Sequence, residues 1–251
     1  MLLRMLLTAG AALLPAIAVA QPVSGLYVSG NVSVNIAGSL RSDGGTTTVD
    51  TNPGPLGVIG LGWGFGNGLR VELEGSYRSN AISGISTRRV DGDLLPLTNA
   101  GGSLATAAAM ANVAYDLPFG GFGLGLQPYV GAGLGYGRVQ FNDAGGNGLG
   151  RFALPENNTY IGPDVVSFGG AGAFAYQAIV GASLPIHVVP GLDATIEYRF
   201  FGTARADVPV TRVSIGTDLV NGELPSNTTH NGFDLHDNSL LIGLRYRFGA
   251  P

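Results

Sequence analysis

The residue types that could do chemistry fall into three sets. His230, Asp234, His236 and Asp237 stand close together near the C-terminus, and such a set can in principle gather a divalent cation or supply the His-Asp pair of a hydrolase. No nucleophile or orienting partner stands beside them at a recognisable spacing, and the surrounding run of Asn, Thr and Asp reads as a polar exposed loop. We therefore assign no catalytic, metal-binding or cofactor-binding residue and expect no enzyme. Gly131, Gly133, Gly135 and Gly137 recur with period two and lack a following Lys-Ser/Thr, so they are not a phosphate cradle. The third set is the charged one. Arg70, Glu72, Glu74 and Arg78, then Asp193, Glu197 and Arg199, then Arg245 and Arg247, each occupy alternate positions of their segment. That spacing puts each group on one face of a strand. Arg and carboxylates facing one another in an enclosed space form an ion-pair network, and the Arg fork serves several carboxylates at once.

Composition limits what such a network belongs to. The chain has 251 residues, 42 Gly, no Cys, a net charge of −4, and only 12% charged residues, against roughly 25% in an average soluble domain. The Gly lacks a collagen period, and an apolar content of 45% is too high for simple disorder. Without Cys there are no disulfides, thiolate metal sites or thiol catalysis, and the acidic balance gives no footprint for nucleic acid. All 13 basic residues are Arg. The mean hydropathy of +0.27 suggests a membrane protein, yet beyond residue 20 no run approaches the ~18 to 20 apolar residues of a spanning helix. A closed barrel is the other way to satisfy backbone groups in lipid.

Met1 to Ala20 reads MLLRMLLTAGAALLPAIAVA, with Arg4, an apolar core, Pro15 and the small-residue site Ala18-Val19-Ala20. This predicts a secretory signal peptide, with the mature chain starting at Gln21.

Eight later segments alternate apolar and polar residues. They are Ser24 to Ile36, Leu56 to Phe65, Leu69 to Ser79, Leu104 to Leu117, Gln127 to Gln140, Ala173 to Leu184, Leu192 to Thr203 and Asn238 to Phe248. Period two predicts strands, and their length matches the ~9 to 11 tilted residues that cross a bilayer. Connections at 66–68, 118–126 and 185–191 are short, whereas those near 37–55, 80–103, 141–172 and 204–237 are long. This alternation predicts an all-β, eight-stranded antiparallel up-and-down transmembrane barrel, with both termini periplasmic and four long external loops. The barrel covers 21–248, and 249–251 is a short tail or the start of a linker.

In lipid the apolar face must point outward, so Arg70, Glu72, Glu74, Arg78, Asp116, Asp193, Glu197, Arg199, Arg245 and Arg247 are expected in the lumen. Glu72, Glu74, Glu197, Arg199 and Arg245 are expected to interlock near the middle, with Arg70 and Arg247 closer to the periplasm. Glycines of the second and fifth strands leave room for them. Trp63, Phe65, Tyr77, Tyr115, Tyr136, Phe174, Tyr176, Tyr198, Phe200, Tyr246 and Phe248 share the apolar face, several near strand ends where interfacial girdles form.

The opening Gly25-Leu26-Tyr27-Val28-Ser29-Gly30, the run Met110-Ala111-Asn112-Val113-Ala114-Tyr115-Asp116, the segment Ala175-Tyr176-Gln177-Ala178 and the closing Leu244-Arg245-Tyr246-Arg247-Phe248 together resemble the OmpA-type outer-membrane β-barrel family of proteobacteria. The resemblance covers Val23 to Phe248 and implies a location in the cell outer membrane. It also implies that Tyr246 and Phe248 carry the signal read by the barrel-assembly machinery; here Gly249-Ala250-Pro251 follows the terminal aromatic. Expected partners are outer-membrane lipids and lipopolysaccharide, that machinery, and a surface ligand of the loops. The leading reading is a structural or surface-interaction barrel with a plugged lumen. The alternatives are a small pore, told apart by conductance because a lumen blocked by the Arg/Glu network should pass little and neutralising Glu72 or Arg245 should raise it, and an enzyme acting on lipid A or peptides through His230 or His236.

Overall fold

The computed structural model describes residues 22–88, 94–118, 125–153, 159–215 and 226–249. The signal segment Met1 to Ala20 and the tail residues Ala250 and Pro251 lie outside the described residues. The strands are β1 (Ser24–Ala37), β2 (Leu40–Arg41), β3 (Thr47–Thr51), β4 (Gly54–Phe65), β5 (Leu69–Arg88), β6 (Leu94–Pro96) and β7 (Thr98–Asp116). They continue as β8 (Gln127–Ala153), β9 (Thr159–Phe168), β10 (Gly170–Pro185), β11 (Leu192–Thr203), β12 (Ala206–Ser214), β13 (Ser226–Phe233) and β14 (His236–Arg247).

Eight of them pair antiparallel in a closed ring, in the order β1, β4, β5, β7, β8, β10, β11, β14 and back to β1. Closure leaves no free edge. The ring is staggered. A ladder that leaves β1 at Val28 passes Leu61, Leu73, Ala111, Leu134, Tyr176, Gly202 and His236 and returns at Gly38. A stagger of this size over eight strands corresponds to a tilt of about 40°.

The alternation seen in the sequence becomes an inside and an outside. On β4, Ile59 is 72% exposed and faces outward with Leu61, Trp63 and Phe65, while the intervening glycines face the lumen. On β5, Leu73 and Tyr77 face outward, and Arg70, Glu74 and Arg78 are buried inside. The hairpin between these strands turns on Gly66 and Gly68, with φ of 75° and 94°, a region that L side chains enter at a cost. Outward aromatics collect at two heights. Trp63, Phe65, Tyr115, Tyr246 and Phe248 lie at the end bearing short turns, and Tyr77, Tyr136, Phe174, Tyr176 and Phe200 lie towards the other. From Leu69 to Tyr77 the outward face of β5 covers about 20 Å along the axis.

The expectation of four long loops is corrected. Much of 37–55, 80–103, 141–172 and 204–237 is strand: β5, β7 and β8 run on beyond the ring, and β2, β3, β6, β9, β12 and β13 pair alongside them. The reason is an apolar core that these segments share with the upper ring. Leu40, Val49, Ile82, Ile85, Leu97, Phe141, Val166, Phe168, Val208, Val210, Phe233 and Leu235 are all buried in it, with Leu104, Val139 and Phe201 from the ring strands. Each loop segment supplies only a few of these residues, as Val166 and Phe168 of β9 or Val208 and Val210 of β12, so no segment alternates over the length of a ring strand.

Candidate functional site

The site is the lumen, and the inward face of every ring strand lines it. At the short-turn end Arg70 Nε lies 3.2 Å from Asp116 Oδ1, and its guanidinium sits 4.2 Å above the centre of the Tyr129 ring. The backbone N–H of Val23 donates to Asp116 Oδ2 at 3.1 Å, fixing that carboxylate to the N-terminal segment. Arg247 Nη2 donates to Asp193 Oδ1 at 3.1 Å at the same rim. Both pairs join residues of neighbouring or near-neighbouring strands, so the barrel end is cross-tied.

The centre is the densest part. Arg199 donates through Nη1 to Glu74 Oε2 at 2.7 Å and through Nη2 to Glu197 Oε2 at 2.6 Å. Tyr129 donates to the other oxygen of Glu197 at 2.6 Å, and Asn112 donates to Glu74 at 2.8 Å. Gln177 completes the cluster by donating to Asn112 Oδ1 at 2.7 Å. Charge-assisted bonds of this kind are the strong ones, and the Arg fork is what lets one cation hold two carboxylates. Glu72 stands aside, accepting from Ser29 at 3.1 Å. Arg245 is buried with no ion-pair partner among the described residues. It lies 5.2 Å from the Tyr129 ring centre and 5.5 Å from that of Tyr27, and its Nε and Nη1 lack hydrogen bonds. Beside it is a cavity of about 20 Å³, lined among others by Tyr27, Glu72, Glu197, Arg199 and Arg245, which is room for about one water.

Above this layer Arg78 donates to Asp237 Oδ2 at 3.1 Å and lies 3.7 Å over the Phe201 ring centre. Asn35 Nδ2 donates to the same carboxylate at 3.5 Å and to Asn80 Oδ1 at 2.9 Å, and Ser239 donates to Asn35 Oδ1 at 2.9 Å. Phe201 also begins the apolar core, in which Phe141, Phe168 and Phe233 pack with ring centres 5.4 to 6.5 Å apart. The lumen is thus filled by two layers of opposite chemistry stacked along the axis.

Glycine makes the lower layer possible. A Cβ on Gly62 would collide with the ring of Tyr27, and one on Gly133 would collide with Asn112 Oδ1. Gly62→Val is therefore expected to lower folding stability by about 1 to 3 kcal/mol, read from the urea midpoint of the folded chain in micelles. Gly57→Val, where nothing lies within 4 Å, is the control and is expected to change it by less than about 0.5 kcal/mol.

Of the residues singled out from sequence, Arg70, Glu74, Arg78, Asp116, Asp193, Glu197, Arg199 and Arg245 are buried in the lumen, and Glu72 and Arg247 are partly so. The central five do not form a single cluster: Glu72 and Arg245 are outside the Glu74-Arg199-Glu197 group. The four residues near the C-terminus separate. His236 faces outward, its Nε2 3.1 Å from Tyr176 Oη and its ring stacked 5.9 Å from Phe200. Asp237 faces inward to Arg78, and His230 and Asp234 are exposed in the extension. Asn112 and Gln177 carry lumen bonds from the polar faces of their strands, and Asp237 and Tyr129 do so without having been assigned to the lumen. Continuing the alternation of Ser239 two residues backwards identifies Asp237; for Tyr129, only its phase with Gly131 could have done so. In the extension Arg205 pairs with Asp43 and donates to Asp207 at 2.7 Å, and that bond with the two carboxylates raises its pKa above the ordinary value.

A family model described as outer membrane protein beta-barrel domain matches residues 5–248. An outer membrane protein of Gluconacetobacter diazotrophicus is 35% identical over 201 residues, which is 78% of this chain and 47% of that protein. The chain therefore spans about half the length of this relative. Among solved structures, OprG from Pseudomonas aeruginosa superposes with a TM-score of 0.49 at 15% identity, covering 92% of this chain and 100% of OprG. The outer membrane protease OmpT from Escherichia coli gives 0.48 at 11%, covering 89% and 97%. Neisserial surface protein A gives 0.43 at 15%, covering 90% and 98%. With nearly the whole chain matched by the family model and the strands closed into a ring, this protein belongs to the outer membrane β-barrel family and is a β-barrel protein of the Gram-negative outer membrane.

Proposed function

We propose that the protein is a structural, surface-presenting barrel whose lumen is plugged, and that it is not an enzyme. Its eight ring strands cross the membrane, both chain ends and the short turns lie in the periplasm, and the β-extension stands outside. The observation that carries the reading is the packing of the lumen by the described residues. Paired charges occupy the lower part, an apolar core occupies the upper part, and the cavity between Tyr27, Glu72 and Arg245 holds about one water. A filled barrel of this width gives a solute no path.

The extension makes the external end a folded surface rather than a set of loose loops, and such a surface is suited to contact with a ligand outside the cell. Tyr246 and Phe248, edge to face at 5.2 Å on the outer surface beside the closing strand pair, are the residues we assign to recognition by the assembly machinery. The non-enzymatic reading is supported by the splitting of His236 and Asp237 onto opposite faces, which prevents their acting as a pair.

A second reading, a pore of small conductance, is favoured by one observation: Arg245 has no carboxylate partner among the described residues, so the charged layer is not fully locked. Reconstitution of the wild-type chain in planar bilayers separates the two. The plugged barrel is expected to show no stable unitary current, and a large, stable conductance would overturn it.

A further inference from the structure

In three places a lumen side chain crosses a glycine of the next strand and bonds a residue on the strand beyond. Asn112 of β7, Gly133 of β8 and Gln177 of β10 lie in one register row, and Gln177 donates to Asn112 Oδ1 at 2.7 Å. Tyr129 of β8, Gly181 of β10 and Glu197 of β11 form a second row, in which Tyr129 donates to Glu197 at 2.6 Å. The third row is Asn31 of β1, Gly243 of β14 and Thr195 of β11, and Thr195 donates to Asn31 Oδ1 at 2.9 Å. In each row a Cβ on the glycine would collide with the side chain that crosses it.

The rows differ in what else sets their register. β7 and β8, like β10 and β11, follow one another across short connections, and a hairpin turn fixes register. β1 and β14 meet with no turn between them. A slip that keeps the polar face inward moves the strand by two residues. Gly243 is the one glycine of β14, so either slip sets Asn31 against Leu241 or Arg245, both buried, whose side chains block its path to β11. The same slip parts Asn35 from Ser239, which donates to it at 2.9 Å. The seam register also decides where the ladder from Val28 returns to β1, and so the tilt and width of the ring.

We propose that Asn31, Gly243 and Thr195 are the register lock of the barrel. The amide crosses the only position of the closing strand that has no side chain, which selects one stagger and rejects its two neighbours. The lock needs only the closed ring, and holds whether or not the lumen conducts.

The chain has no Cys, so introduced pairs can read the register. Val32 and Ile242 are outward register partners across the seam, near enough for a disulfide, whereas a partner two residues away is too far. Val32→Cys with Ile242→Cys therefore reports the native register, and Val32→Cys with Leu240→Cys or Leu244→Cys reports the slips. The full chain is folded in micelles and oxidised, and cross-linking is read by gel mobility. With the lumen unaltered, only the native cross-link is expected. Asn31→Ala should raise the ratio of slipped to native cross-link about tenfold, the factor that goes with one buried hydrogen bond. Asn112→Ala breaks the corresponding row away from the seam and should leave the ratio unchanged. Native cross-linking alone in Asn31→Ala overturns the proposal, and so does an equal rise in Asn112→Ala, which would show general loosening. Should Asn31→Ala fail to fold, Thr195→Val keeps the shape of the row and removes only its donor. It should raise the ratio about threefold, and no rise there overturns the proposal equally.

Discussion

Replacing Arg199 with Met is expected to destabilise the folded barrel by about 3 to 5 kcal/mol, the cost of leaving buried charges without their partner. Arg199 lies between Glu74 and Glu197, whose side chains are 0% and 8% exposed. Without it, two carboxylates face each other in a wall of low dielectric, and one of them must be protonated, because the adjoining cavity has room for only about one water to hydrate them. Asn112, Gln177 and Tyr129 remain as donors, so the loss should fall short of the full desolvation of two ions. The test has a built-in control. A triple variant, Glu74→Gln, Glu197→Gln and Arg199→Met, removes the charges together and is expected to recover most of the stability, because a neutral cluster of similar shape carries no such penalty. The single Trp63, on the outer face, reports folding by fluorescence in a urea titration. A change below about 1 kcal/mol for Arg199→Met would show that the lumen charges are well solvated.

Opening the lumen should take two changes at once. Sequence alone suggests that neutralising Glu72 or Arg245 raises conductance, because it shows only the charged layer. The structure adds an apolar layer in series with it, closed by Phe141, Phe168 and Phe233. Glu72→Gln or Arg245→Gln should therefore leave the current at the wild-type level. Truncating the three Phe to Ala should also leave it closed, since the Glu74-Arg199-Glu197 cluster still fills the middle and an apolar constriction conducts poorly until it wets. Only the combined variant is expected to give stable unitary currents in planar bilayers. Conductance in Glu72→Gln alone would show that the upper layer does not seal.

The ring was legible in the sequence because a barrel strand in lipid has strict needs. Every second residue must be apolar over a full crossing, as in Leu69 to Tyr77, and no other pressure in that segment competes. The same phase assigned Arg70, Glu74 and Arg78 to one face. Pairing was less legible. Nothing in the spacing tells that Arg78 finds Asp237 or that Arg199 takes two partners while Arg245 takes none, because these choices depend on the stagger of strands distant in the chain. The extension was missed for a different reason. Val166, Phe168, Val208, Val210 and Phe233 are buried by one another, and short segments with Gly and Asn between them look like loops until the segments are brought side by side.

The ring closes by pairing its first strand with its last, from Tyr27 against Arg247 to Ala37 against Asp237. This seam joins the first and last strands of the ring, about 200 residues apart, so closing it carries a loop-closure entropy cost and contact order is high. A partial ring would keep two open edges, each a row of unpaired backbone groups that hydrocarbon cannot solvate. Intermediates lacking the seam are thus unstable within the bilayer, and insertion and closure are coupled. The last strand of the ring to be synthesised completes the barrel, so a nascent chain cut short of it has no closed ring to adopt.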